Sequence, residues 1–89
     1  EVNINELMQA LKKKEFTVVR EWIVHNLNDD PSRIIRNIYD NLYDNVDAST
    51  IPHAVVILAE YSYKSAFVAD HEINMLACLT EIMSQVKFK

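Results

Sequence analysis

The chain has 89 residues, enough for one modest core and too few for a core plus an elaborated catalytic site. It is 49% hydrophobic and 25% charged, and no stretch approaches 18 consecutive apolar residues, so neither a disordered chain nor a membrane-spanning one is expected. The formal charge is −4 and the basic residues are scattered apart from Lys12, Lys13 and Lys14, which argues against a broad electrostatic footprint for nucleic acid.

The single cysteine, Cys78, lies among Ala77 and Leu79 and reads as core. No internal disulfide can form, and a reducing cytoplasm is the expected setting. The sequence opens on Glu1 rather than methionine, so residues 1–89 are expected to be a single domain cut from a longer chain.

Glycine is absent and no stretch sustains β-type alternation, which favours helices throughout. The expected fold is all-α, a compact bundle of five helices. The first spans about residues 4–13, with Ile4, Leu7, Met8 and Leu11 in one stripe, Asn3 as N-cap and Glu6 at the capping-box position. A tight joint at Lys14 and Glu15 leads into the second, about 16–27, with Phe16, Val19, Trp22, Ile23 and Leu27 on its buried face and Trp22 as anchor.

Asp30 and Pro31 then cap and start a third helix, about 32–45, with Ile34, Ile35, Ile38, Tyr39 and Leu42 on one side and a wet face opposite. The fourth starts at a Ser49 or Thr50 cap with Pro52 in its first turn and runs to Lys64; its polar stripe is His53, Glu60 and Lys64. The fifth spans about 70–86 behind an Asp70 cap, with Asn74, Glu81 and Gln85 as its narrow polar arc. Between these two, an apolar joint is expected to sit against the bundle end with Phe67 as the plug.

The fourth and fifth helices are apolar around most of their circumference. Either the first three helices wrap them completely, or part of that surface meets another chain.

Motifs for chemistry are missing. Without glycine there is no phosphate-cradling loop, and His25, His53 and His71 fall on three different helices with no His-x-x-x-His pair. The acidic pairs sit at helix starts or on a wet face, where capping and solvation account for them. No catalytic or metal-ligating residue is expected.

Two stretches carry a family resemblance. "AEYSYKSAFVADHEINMLACL", residues 59–79, resembles the last two helices of the small subunits of sliding-clamp loaders, the replication factor C type of AAA+ ATPase. That family has a helix ending Ala/Asp-Glu-Tyr-x-Tyr/Phe-Arg, a short link, and then Gly-Ala-x-Glu-x-Ile-Gln-Leu-x-Ala-Leu-Leu. Ala59, Glu60, Tyr61, Tyr63 and Lys64 match the first part; Ala69, Glu72, Ile73, Asn74, Met75, Ala77 and Leu79 match the second, some conservatively. "ALKKKEFTVVREWIVHNL", residues 10–27, is similar to the family's Ala-Leu-x-Gly-x-Phe-x-x-Ala-Arg-x-x-Leu hairpin, with Phe16 and Arg20 in register. Where the family has glycine at the helical joints, a lysine at 13 or 14 and Val68 stand here. Within the family the pattern is most similar to the small subunits of T-even bacteriophages.

The resemblance implies a C-terminal collar domain that holds ATPase subunits in a ring of five while the AAA+ modules load the clamp for the DNA polymerase. ATP and magnesium, the sliding clamp and primer-template DNA would then belong to those modules, with no cofactor in this stretch. The implied partners are copies of the chain itself and a sister subunit, in the bacterial host cytoplasm, with no membrane. Candidate interface residues from the apolar pattern are Tyr39, Tyr43, Phe67, Met75, Leu79 and Ile82. The alternative is a free-standing adaptor that takes a partner helix in a groove near Tyr61 and Phe67.

Overall fold

Local chemistry sets most of the helix boundaries in the computed structural model, which describes residues 3–89. Helix α1 (Ile4–Lys12) begins where the Asn3 side chain accepts from the Glu6 N–H at 3.3 Å, and it buries Leu7, Met8, Ala10 and Leu11. It stops at a two-bond cap. Lys14 N–H donates to Leu11 O at 3.1 Å and Glu15 N–H to Ala10 O at 3.0 Å, with Lys14 left-handed at φ 57°. That is the position where helices favour glycine, and a lysine fills it here.

Helix α2 (Phe16–His25) buries Val19, Trp22 and Ile23. The Trp22 indole N–H reaches back to the Asn3 carbonyl at 3.0 Å, tying α2 to the start of α1. The helix ends earlier than expected. The Asn26 amide donates to Trp22 O at 2.7 Å while its backbone N–H takes Ile23 O, so the side chain competes for the ladder. Leu27 and Phe16, expected on the buried face, are both exposed.

Asp30 caps α3 (Pro31–Asp40), accepting from Ser32 N–H at 3.0 Å and Ser32 Oγ at 2.9 Å, with Pro31 in the first turn. The expected long third helix is broken at Asn41 into α3 and a single turn, α4 (Leu42–Asn45). Asparagine amides cause the break: Asn41 Nδ2 donates to Asn37 O and Asn45 Nδ2 to Asn41 O, both at 2.8 Å.

A short 3-10 turn (Ala48–Thr50), capped by Asp47, follows, and its last residue, Thr50, is the expected N-cap of the next helix, without a side-chain cap bond. It feeds α5 (Ile51–Lys64), and Asp70 caps α6 (His71–Gln85) by accepting from Ile73 N–H at 3.0 Å. After α6 the chain returns to the 45–47 segment. Val46 and Phe88 form an isolated antiparallel bridge, with Asp47 N–H to Lys87 O at 2.8 Å and Lys89 N–H to Asn45 O at 3.0 Å.

Among the described residues the fold is all-α, with six helices rather than five because of the break at Asn41. Neighbours run α2, α6, α5, α3 around an arc, and α1 packs against α2, α6 and α3 from inside. One core joins them, centred on Leu7, Leu11, Ile23, Ile38, Leu42, Ile57, Leu79 and Ile82. The radius of gyration is 11.7 Å. A packed domain of this length should have about 12 Å, so the six helices form one fully condensed unit.

Candidate subunit interface

Helices α5 and α6 meet through a partly polar contact. Tyr61 Oη donates to Glu81 Oε2 at 2.6 Å, and Asn74 Nδ2 donates to Ser65 Oγ at 3.3 Å. Two members of the expected wet arc of α6, Asn74 and Glu81, therefore face α5. Asn74 is buried, and the bond to the Glu81 carboxylate, with burial second, pushes the Tyr61 phenol up to about 12. Lys64 lies over the Tyr61 ring, 4.8 Å from its centroid, and pairs with Glu60 at 3.0 Å.

A helix that turns polar groups towards its neighbour presents something else to solvent. On α6 that outer stripe is Ile73, Ala77, Thr80 and Ser84, which share one face at 100° per residue. Phe16 of α2 closes the other side, leaving an open trough of about 420 Å³ that Leu76 also lines. Ile73 is 67% exposed. The Thr80 and Ser84 hydroxyls bond Leu76 O at 2.7 Å and Glu81 O at 3.1 Å, and the Glu81 carboxylate, which accepts from Tyr61, lines the trough as well.

The outer stripe of α5 is Val56, Glu60, Tyr63 and Phe67. Its aromatic end stands proud: Tyr63 is 70% and Phe67 72% exposed, with ring centroids 5.1 Å apart and planes tilted by 54°. Phe67 is not the plug that was expected. The turn after α5 keeps helix-like bonds, Phe67 N–H to Lys64 O at 2.9 Å among them, so Phe67 continues the outer stripe and leans on Tyr63.

A second groove, about 280 Å³, lies between α3 and α5 and is lined by Ile35, Tyr39, Val55 and Leu58. The Arg36 guanidinium sits 5.1 Å from the Tyr39 centroid and is held there by Asp40 at 3.1 Å. Tyr43 is exposed on α4 and separated from Tyr39 by the break; its carbonyl accepts from Lys89 Nζ at 2.9 Å.

Three of the expected interface residues are corrected. Met75, Leu79 and Ile82 sit in the domain's own core, on the side of α6 opposite the trough, where this chain itself covers them. Phe67, Tyr43 and half-buried Tyr39 remain at the surface. Exposed residues missing from that set include Phe16, Val56, Tyr63, Ile73 and Ala77. For Ile73 and Ala77 the signal is the polar arc of α6, whose Asn74 and Glu81 bond Ser65 and Tyr61.

Elements of chemistry stay apart. A cleft of about 430 Å³ between the start of α1 and α2 holds Glu6, Glu21, Trp22 and His25, where the Trp22 indole N–H donates to Asn3 O and His25 Nδ1 pairs with Glu21 O. Burial pushes the Cys78 thiol up to about 12, which makes it an inert core group. Among the described residues no three His, Cys, Asp or Glu side chains are placed to hold a metal ion, and no helix is long and apolar enough to cross a membrane.

Helices α2 and α6 pack against each other, and Arg20 Nε lies 3.7 Å from Glu72 Oε2 across them. No model of a known protein family matches the chain, and a search of curated proteins finds no match either.

Proposed function

We propose that this chain is an oligomerisation domain, the collar of a sliding-clamp loader small subunit. Its role is to hold AAA+ ATPase modules side by side, while those modules bind ATP and magnesium, open the clamp and grip primer-template DNA. The observation that carries the reading is the apolar surface left in water on α2, α5 and α6, where Phe16, Val56, Tyr63, Phe67 and Ile73 are all exposed. Apolar surface left exposed around polar contacts inside is what a subunit interface requires. The family resemblance supplies the rest. The left-handed Lys14 falls at a joint where the family carries glycine, and Arg20 meets Glu72 across the two matched segments.

Sedimentation equilibrium over a wide concentration range tests this. Association into oligomers is the expected result. A monomer throughout, in the presence of no other subunit, moves the reading to an adaptor that seats a partner helix. A groove between α5 and α6, about 410 Å³ and lined by Tyr61, Lys64, Val68 and Ile73, favours that second reading.

A further inference from the structure

Among the described residues, every hydrogen bond by which the 43–50 segment reaches a distant part of the chain ends on Lys87 or Lys89. Asp47 N–H donates to Lys87 O at 2.8 Å and Lys89 N–H to Asn45 O at 3.0 Å. Lys87 N–H donates to Thr50 Oγ1 at 3.1 Å and Lys89 Nζ to Tyr43 O at 2.9 Å. The dependence is mutual, since residues 87–89 bond nothing but this segment, and Val46 and Phe88 face each other in the middle of the patch.

Neither side has a frame of its own. Helix α4 is a single turn and Ala48–Thr50 a three-residue 3-10 turn, both too short to hold themselves in water. Each side also begins at a break in regular structure. Asn41 interrupts the ladder between α3 and α4, and Val86, at φ −110° and ψ 138°, has already left the α6 helix.

We infer that residues 43–50 and 86–89 form a latch that opens and closes as one unit while α1, α2, α3, α5 and α6 stay packed. Each half holds the other's partners. When 86–89 lifts, Asp47 N–H, Asn45 O and Thr50 Oγ1 lose their bonds together, and the single turn of α4 has no other long-range tie. No bond inside α5 or α6 has to break. The apolar surface uncovered is that of buried Val46 and Val86 and partly buried Phe88, whereas Leu7, Leu11, Ile23, Leu79 and Ile82 keep their cover. An opening that exposes a small part of the core lies between the native and the unfolded state in free energy. The domain thereby has two shapes that share one bundle, and the open one uncovers Val46, Phe88 and the Asn45 carbonyl at the base of α5 and α6. The latch is independent of the oligomerisation reading.

Amide hydrogen exchange, followed by NMR on the 89-residue chain and two conservative variants, tests the unit. In the unaltered chain Asp47, Lys87 and Lys89 should share one opening constant, about tenfold or more above that of Leu79 and Ile82. Thr50→Val keeps the side-chain shape and removes the acceptor of Lys87 N–H. It should speed exchange by one common factor, about two- to tenfold, at Lys87 and equally at Asp47 and Lys89, whose N–H groups do not bond Thr50. Ile23→Val trims a buried position that stays covered in both shapes. It should speed Leu79 and Ile82 by about two- to tenfold and leave the three latch amides as they were. If Thr50→Val speeds Lys87 alone, the two segments are not one unit. If Ile23→Val speeds the latch amides along with the core, they open only in global unfolding, and the latch is overturned.

Discussion

Tyr61 and Glu81 are joined across the α5–α6 contact by a 2.6 Å hydrogen bond in which a buried phenol donates to a carboxylate. Charge-assisted bonds of this kind are short and stronger than neutral ones. Tyr61→Phe removes the donor and leaves the half-buried carboxylate short of a partner, so it should lower stability by about 1–2 kcal/mol. Urea unfolding at neutral pH measures it.

The same phenol sets an alkaline limit. Tyr61 rises from 10.0 and Cys78 from 9.0, each to about 12 on folding. A group whose value is raised in the folded state contributes stability that is whole below its unfolded value and is lost as pH rises through the folded one. Stability should therefore be flat up to about pH 9 and fall from there towards pH 12, first through Cys78 and then through Tyr61. Urea midpoints across that range should fall less steeply for Tyr61→Phe with Cys78→Ala than for the unaltered chain.

Asp30 and Asp47 work in the opposite direction. Bonds from the Ser32 and Ser49 N–H and hydroxyl groups hold the two carboxyls below the ordinary 3.8. Their contribution is present above that value and lost as pH falls beneath it. Asp30→Ala and Asp47→Ala should each destabilise at pH 7, and the difference from the unaltered chain should vanish near pH 2 in thermal melts.

Lys14 occupies the left-handed cap at φ 57°. A side chain with a Cβ is disfavoured there by about 1–2 kcal/mol, which glycine offsets in part through its own entropy. Lys14→Gly should stabilise the domain by about 0.5–1 kcal/mol, or roughly 2–8 °C in Tm for a chain of this size. Lys14→Ala should give no such gain, which separates backbone relief from loss of charge.

Leu79 and Ile73 sit on opposite sides of α6. Leu79→Ala opens a cavity in a fully buried position and should cost about 2–5 kcal/mol. Ile73→Ser changes an exposed position and should leave the monomer within about 0.5 kcal/mol of the original. Only the second variant should weaken self-association while the fold stays intact, as read by sedimentation with circular dichroism in parallel.

Stops and starts with a chemical signature were legible in the sequence: Asn3, Asp30 with Pro31, and Asp70 all cap the helices they were expected to cap. The break at Asn41 was not, because Asn37, Asn41 and Asn45 at intervals of four look like an ordinary wet face until their amides are seen bonding the backbone. The outward side of α6 was misjudged for a related reason. Periodicity locates a polar stripe but not what it faces, and here Asn74 and Glu81 find Ser65 and Tyr61 instead of water. Once that face is assigned inward, Met75, Leu79 and Ile82 fall into the core and Ile73 and Ala77 come to the surface.

The bridge between Val46 and Phe88 ties residues 45–47 to residues 87–89 and so closes α5 and α6 into a loop pinned at its base. A pull applied at Lys89 is handed directly to the segment beside α4 through the bonds to Asn45 and Asp47. The tension bypasses the α5–α6 hairpin until those bonds shear. Both outer stripes lie inside that loop, between the two segments that the bridge joins.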